Sequence, residues 1–320
     1  MVNKRIKFIA LLLVISSIIF SCSSSDFKSK LVLNYISIDS ANYFISVHPK
    51  KTEAVIILFP GLGEVPEDLF AETDIIESAY KNNIATIIPY IQNGMSLYID
   101  SNSLRILTEL ISAGLIKYNF EDMPIIHGGF SIGGNAALLY AENQFSKKSS
   151  LPNQIKGIFI IDSPLDMKRF YSSLDNTIRY SKSTVAINEA KYLKKRMRAE
   201  AGITSNSSIN NFNRISPFLY KDTLNKAIKL LKDIPIRAYI EPAILWQMQK
   251  RDRDYYDMNT IDCAAFINRL NAIGNKNAKL IVSSNLGHRN LTNTKNPHSW
   301  SILDGKELIS WIQSITKNKQ

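Results

Sequence analysis

The chain has 320 residues, 45% of them hydrophobic, and a formal net charge of +11 at pH 7. That length and apolar content sustain a real core, exclude disorder for most of the chain, and fit one large α/β domain or a domain with an insertion. Two cysteines, Cys22 and Cys263, are too few for a disulfide framework or a cysteine-based metal site.

The first 22 residues read as an address. Lys4, Arg5 and Lys7 form a basic start, Phe8 to Phe20 an apolar run too short to span a bilayer comfortably, and Ser21-Cys22 closes it. This segment resembles the lipobox of bacterial lipoproteins. The resemblance implies that Cys22 is lipidated and becomes the first mature residue, that residues 23–30 are a tether, and that the protein sits in the cell envelope, anchored to a bacterial membrane. The competing readings are an ordinary cleaved signal and an uncleaved anchor helix.

Beyond the tether, Leu31 to Asp39 and Tyr43 to His48 alternate like a hairpin at a sheet edge. Ala54 to Phe59 is continuously apolar, as a strand buried on both faces must be. Glu67 to Lys81 predicts a helix, Ile84 to Ile88 a strand stopped by Pro89, Ser103 to Tyr118 a second helix, and Pro124 to His127 a further strand. A strand at Lys156 to Ile161 precedes a basic, helical insertion from about Met167 to Asp233. The alternation then resumes: a strand at Ile236 to Ile240, a helix from Ile261 to Ile273 closed by Gly274, a strand from Lys279 to Ser283, and a terminal helix through Trp311. Such alternation means a mostly parallel, doubly wound sheet. Much of the positive charge falls between Lys168 and Lys232. It reads first as a solvated helix face, then as an attraction for anionic lipid or polysaccharide; no recognised module supports nucleic-acid binding.

The densest signal is His127-Gly128-Gly129-Phe130-Ser131-Ile132-Gly133-Gly134. It sets a G-x-S-x-G pentapeptide between a strand-like run and the helix former Asn135 to Glu142. In that context glycines let backbones approach a strained turn, and Ser131 points its hydroxyl into open space. H-E-x-x-H, a P-loop lysine and the G-x-G-x-x-G spacing are all missing from the sequence.

With this elbow and element order, residues 31 to 316 resemble the α/β-hydrolase family: a mostly parallel doubly wound sheet with a helical lid insertion. The resemblance divides the chain into a signal peptide (1–22), a tether (23–30), a first core part (31–166), the lid (167–233) and a second core part (234–320). It implies Ser131 as nucleophile and an oxyanion hole from the N–H groups of Ile132 and Leu62, the latter on a loop with Pro60 where the family usually has histidine. It also implies a histidine after the last strand. Two fit: His288, in a Gly-His segment after Lys279 to Ser283, and His298, held by Pro297 ahead of the last helix and preferred for that reason. His127 reads as a strand-end residue beneath the elbow and His48 as an exposed loop residue. The family's acid is expected at Glu241, with Asp162 the fallback; Asp252, Asp254 and Asp257 read as a solvated charge run. The implied activity is that of a membrane-anchored serine esterase acting on a small ester or acylated substrate, with no cofactor, no metal and no nucleic-acid partner. The alternative is a non-catalytic envelope binding protein on the same scaffold.

Overall fold

Ala54–Phe59 (β3) contains no polar residue, and all six of its side chains are buried in the middle of a sheet covered on both faces. Each larger apolar side chain there contributes roughly 1.5–3 kcal/mol of transfer free energy. The computed structural model describes residues 34–37, 42–91, 97, 100–146, 155–222 and 226–317. All belong to one compact unit, Leu33–Gln320. Cys22 and the expected tether lie outside the described residues.

Around β3 the sheet has eight strands in the order β1-β2-β4-β3-β5-β6-β7-β8. These are Asn34–Ser37 (β1), Asn42–Val47 (β2), β3, Ile84–Ile91 (β4), Ile125–Phe130 (β5), Ile155–Ile161 (β6), Ile236–Ile240 (β7) and Ala278–Val282 (β8). The β1/β2 and β2/β4 pairs are antiparallel, and every pair from β4 to β8 is parallel. The strand at Ile84 does not stop at Pro89, which pairs with Phe44 of β2. On its other side the pairing of β4 with β3 ends at Ile57 and Ile87, so Pro89 lies beyond the ladder in which its missing N–H would be needed.

The helix expected at 67–81 is broken into Leu69–Glu72 (α1) and Ile75–Lys81 (α2). Thr73 is extended, and its hydroxyl accepts the Ile75 N–H. Ser101–Lys117 (α3) is capped by Asp100 and buries Leu107, Leu110, Ile111 and Leu115 on one face, the spacing of an amphipathic helix. Ile132–Ser146 (α4) is instead buried along most of its length, and so carries no polar stripe to read. Ile244–Arg251 (α9) and Thr260–Ala272 (α10) follow β7. Past β8 come the short strands His288–Arg289 (β9) and Thr294–Lys295 (β10), then Gly305–Thr316 (α11), capped by Asp304. No helix among the described residues is long and apolar enough to cross a membrane.

The insertion supplies Met167–Tyr180 (α5), Thr184–Ala201 (α6), Ile209–Asn213 (α7) and Lys226–Leu230 (α8). It is not a wholly solvated basic face. Met167, Tyr171, Leu174, Leu193 and Met197 belong to the same buried cluster as Phe59 and Ile132. Arg169 is buried against Asp262 of α10, with Nε 2.5 Å from Oδ1. Asp262 also accepts the N–H groups of Leu165 and Asp166, tying the segment after β6 to α10.

Two histidines are explained by packing. His48 is not exposed: it is half-buried, its ring 4.6 Å from that of Tyr118. His127 is fully enclosed between Phe59 and Tyr140 beneath the elbow. Burial pushes its pKa down to about 4, against the opposing effect of a hydrogen bond with the Ala137 backbone.

Candidate active site

The C-terminal ends of neighbouring strands β5 and β6 deliver two side chains to one crevice, and the loop after β10 brings the third. Ser131 forms the junction of β5 and α4 with φ at 54°, a left-handed conformation that costs a non-glycine residue about 1–3 kcal/mol. Its neighbours enforce the turn. The Ser131 N–H donates to the Ile161 carbonyl of β6 at 2.8 Å, and its carbonyl accepts from Gly134 at 3.0 Å. A Cβ on Gly129 would lie 2.3 Å from the Gly133 backbone, and one on Gly133 would lie 2.2 Å from the Phe59 carbonyl oxygen. Only glycine lets strand, turn and helix approach this closely.

His298 Nε2 lies 3.0 Å from Ser131 Oγ, and His298 Nδ1 lies 2.6 Å from Asp162 Oδ2. An ionised Asp162 only accepts, so Nδ1 carries the proton and Nε2 is left to accept the serine hydroxyl. The imidazole is held from three other directions. Its residue's N–H donates to Asn296 Oδ1, its carbonyl accepts from Arg289 Nε, and the Phe130 ring lies 4.6 Å from it. Asp162 is itself left-handed at φ 40°; its N–H donates to the Tyr239 carbonyl and its carbonyl accepts from Asn259 Nδ2, both at 2.9 Å.

Thus Ser131, His298 and the fallback acid Asp162 converge, whereas Glu241 and His288 do not join them. Topology explains the acid. β6 is paired directly with β5, while β7, which precedes Glu241, is one strand further away. The Glu241 carboxylate is already occupied: Oε2 accepts the N–H groups of Leu286 at 2.8 Å and Gly287 at 3.0 Å, shaping the turn after β8. His288 lies on β9, where its N–H donates to Ser299 and Ser301 hydroxyls and its Nε2 faces Asn293 at 3.1 Å.

Leu62 and Ile132 both line the crevice beside Ser131. Ile132 opens α4, where the N–H groups of the first turn have no acceptor within the helix. Among the described residues no acceptor meets the Leu62 N–H either. The turn carrying Leu62 is fixed by Glu64, whose contribution the sequence did not signal. Glu64 Oε2 accepts the Gly61 N–H at 2.7 Å and Trp300 Nε1 at 3.0 Å, and Oε1 accepts Arg289 Nη1 at 2.8 Å. One buried carboxylate therefore joins the Leu62 turn to the chain on both sides of His298. Glu64 and Arg289 are 225 residues apart, a separation that no local pattern can bridge.

The crevice opens into a cavity of about 300 Å³ walled by Phe170 and Leu174 of α5, Leu193 of α6 and Met258. Among the described residues no group of three or more His, Cys, Asp or Glu side chains is arranged to hold a metal ion.

An eight-stranded, mostly parallel sheet with helices on both faces and a serine at the strand-to-helix turn is the α/β-hydrolase fold, and solved structures share it. An esterase from the bacterial hormone-sensitive lipase family superposes with a TM-score of 0.58 at 15% identity, over 92% of this chain and 86% of that one. A hormone-sensitive lipase from a metagenome library gives 0.55 at 14%, over 90% and 85%. An acylaminoacyl peptidase of Pyrococcus horikoshii gives 0.57 at 12%, over 92% of this chain but 43% of that longer one. No family profile and no curated protein sequence matches the chain.

Proposed function

We propose that this protein is a serine hydrolase that cleaves small carboxylic esters or related acylated substrates through an acyl-enzyme on Ser131. The observation that carries the proposal is the continuous line from Ser131 Oγ through His298 to Asp162, at 3.0 and 2.6 Å. The Ser131 Oγ attacks the substrate carbonyl as its proton passes to His298 Nε2. Negative charge on the carbonyl oxygen is met by the N–H groups of Leu62 and Ile132. The imidazolium, stabilised by Asp162, protonates the leaving alkoxide. Water then gives a proton to His298, attacks the acyl-enzyme, and releases the acid with Ser131 restored. An apolar wall of Phe170, Leu174 and Leu193 suits an acyl chain, and a volume near 300 Å³ suits a small one. Helices α5 and α6 take the part of the expected lid by setting that wall.

A fluorophosphonate probe tests the proposal, because only an activated serine reacts. The wild type is expected to label and to hydrolyse aryl acetates, and Ser131→Ala to do neither while keeping its melting temperature. Absence of labelling in the wild type would favour a non-catalytic binding protein on the same scaffold. We also propose that Cys22 carries a lipid that holds the protein in a bacterial envelope membrane, on the strength of the basic, apolar and Ser-Cys order of residues 4–22. A single acyl chain contributes about 0.8 kcal/mol per buried methylene. Cys22→Ser is therefore expected to leave the membrane fraction or to stall in maturation; unchanged mass and partitioning would refute lipidation.

A further inference from the structure

The segment Lys250-Arg251-Asp252-Arg253-Asp254-Tyr255-Tyr256-Asp257 alternates charges as a self-neutralised surface run would. It is not one, because each of its acids is committed to a hydrogen-bond donor. Asp252 is left-handed at φ 51°, and its carboxylate accepts the Lys182 N–H at 2.9 Å and the Ser181 hydroxyl. Asp254 caps the following turn by accepting the Tyr256 N–H at 2.8 Å. Asp257 accepts Asn176 Nδ2 at 3.1 Å and the Asp254 N–H.

The arginines between them take a different direction. Arg251 and Arg253 both line the cavity that holds Ser131 and His298. The left-handed turn at Asp252, closed by a bond from the Arg253 N–H to the Gln247 carbonyl, presents both to the same space. Neither forms an ion pair among the described residues, while Arg289, the third arginine of the cavity, is paired with Glu64. Arg251 is steadied by the Trp246 ring, with its guanidinium carbon 5.5 Å from the centroid.

Other charges of the cavity do not neutralise the pair. Asp162 is joined to His298; Glu241 is buried and turned onto backbone donors; Asp257 is occupied as described. Glu189 of α6 is the carboxylate whose field favours the charge on Arg251, yet it makes no ion pair with it. Arg251 keeps an exposed side chain, yet the balance there is unfavourable to its own charge: desolvation against the cavity wall, Arg253 and Arg289 together outweigh Glu189 and lower its pKa. Two uncommitted guanidinium forks in one cavity are an anion site, because the fork matches carboxylate or phosphate oxygens in pairs.

We propose that the substrate carries an anionic substituent, a carboxylate or a phosphate, that Arg251 and Arg253 bind while Ser131 attacks the ester carbonyl. This deepens the serine-hydrolase reading and rests on it. The anion is part of the acyl or alcohol portion and takes no part in bond breaking.

The test compares kcat/KM for p-nitrophenyl half-esters of succinate, glutarate and adipate with their methyl-capped, uncharged counterparts, and for a phosphate-bearing aryl ester with its neutral analogue. The wild type is expected to prefer at least one free anion by roughly tenfold or more, the worth of one charge-assisted hydrogen bond. The carboxylate and phosphate arms tell the two anions apart. The preference should shrink as salt is raised, collapse in the double variant Arg251→Gln, Arg253→Gln, and return in part in the double lysine variant. Fluorophosphonate labelling of Ser131 in each variant verifies that it is folded. Ser131-dependent hydrolysis without any preference for an anion, or a preference unchanged in the glutamine double variant, would overturn this inference and leave the serine mechanism standing. Loss of all hydrolysis and labelling in the wild type would instead overturn the mechanism itself.

Discussion

Replacing Asp162 by asparagine tests the proposed relay and separates the carboxylate that meets His298 from Glu241, the one expected by analogy. The imidazole is oriented by one charge-assisted bond of 2.6 Å, and the other carboxylate oxygen, Oδ1, is buried without a partner among the described residues. An asparagine has two ways to fit. With its amide NH2 toward Nδ1, the histidine must carry its proton on Nε2, and the serine then faces a donor where it needs an acceptor. With its oxygen toward Nδ1, the NH2 occupies the place of Oδ1, a buried and unpaired donor costing about 1–3 kcal/mol. Both also remove the charge that steadies the imidazolium. A wrong tautomer in a serine triad lowers kcat by about 10⁴, equivalent to about 5.5 kcal/mol of transition-state stabilisation. Glu241→Gln is the control: its amide oxygen can still accept from Leu286 and Gly287, and its NH2 takes the place of the likewise buried and unpaired Oε1 and costs similar stability. It does not meet His298, so kcat should stay within about tenfold of wild type. Turnover of p-nitrophenyl acetate and fluorophosphonate labelling at pH 7.5 measure both. If Asp162→Asn keeps more than a tenth of kcat while Glu241→Gln loses about a thousandfold, the reasoning fails.

His298→Ala is expected to match the loss of Ser131→Ala, while His288→Ala retains most of the activity; the reverse order would place the base on β9. Glu64→Ala should lower stability by about 3 kcal/mol, since it strands Arg289 and two buried N–H donors, and Glu64→Gln should lower kcat more than it raises KM; urea melts and steady-state kinetics check these. His127 gives a pH signature. Its folded pKa of about 4 lies below the unfolded value near 6.5, so the unfolded state binds the proton first. Stability is full above pH 6.5 and falls by about 3 kcal/mol as pH drops to 4. His127→Phe should flatten that slope in urea titrations between pH 7 and 4.5, and an unchanged slope would refute the assignment.

The elements of this fold are written plainly where periodicity is strong. Uninterrupted apolar runs at 54–59 and 158–161 mark strands buried on both faces, and the glycines around Ser131 mark a turn tight enough to exclude any Cβ. Local pattern was insufficient wherever a distant partner decides. Thr73 interrupts a helical run by capping Ile75 with its own hydroxyl, and Pro89 stays in its strand because the pairing with β3 ends at Ile87, two residues before it. Choosing between Asp162 and Glu241 requires strand order, since each ends a strand with a carboxylate. The histidine depends on how the chain between Gly287 and Trp300 folds back, which Glu64 governs from the far end of the sequence.

The sheet order also sets a timetable. Strands β1 to β6 form a contiguous block, β1-β2-β4-β3-β5-β6, that contains both the elbow and Asp162. His298 follows Asp162 by 136 residues, so it is the last of the three side chains to emerge, whether from the ribosome or across a membrane during export. Until His298 emerges, the chain carries Ser131 and Asp162 without the imidazole that joins them, and a Leu62 turn whose Glu64 still lacks Arg289 and Trp300. On the proposed mechanism a prematurely terminated product is therefore inert, and reactivity towards a fluorophosphonate appears only as the final stretch of polypeptide docks.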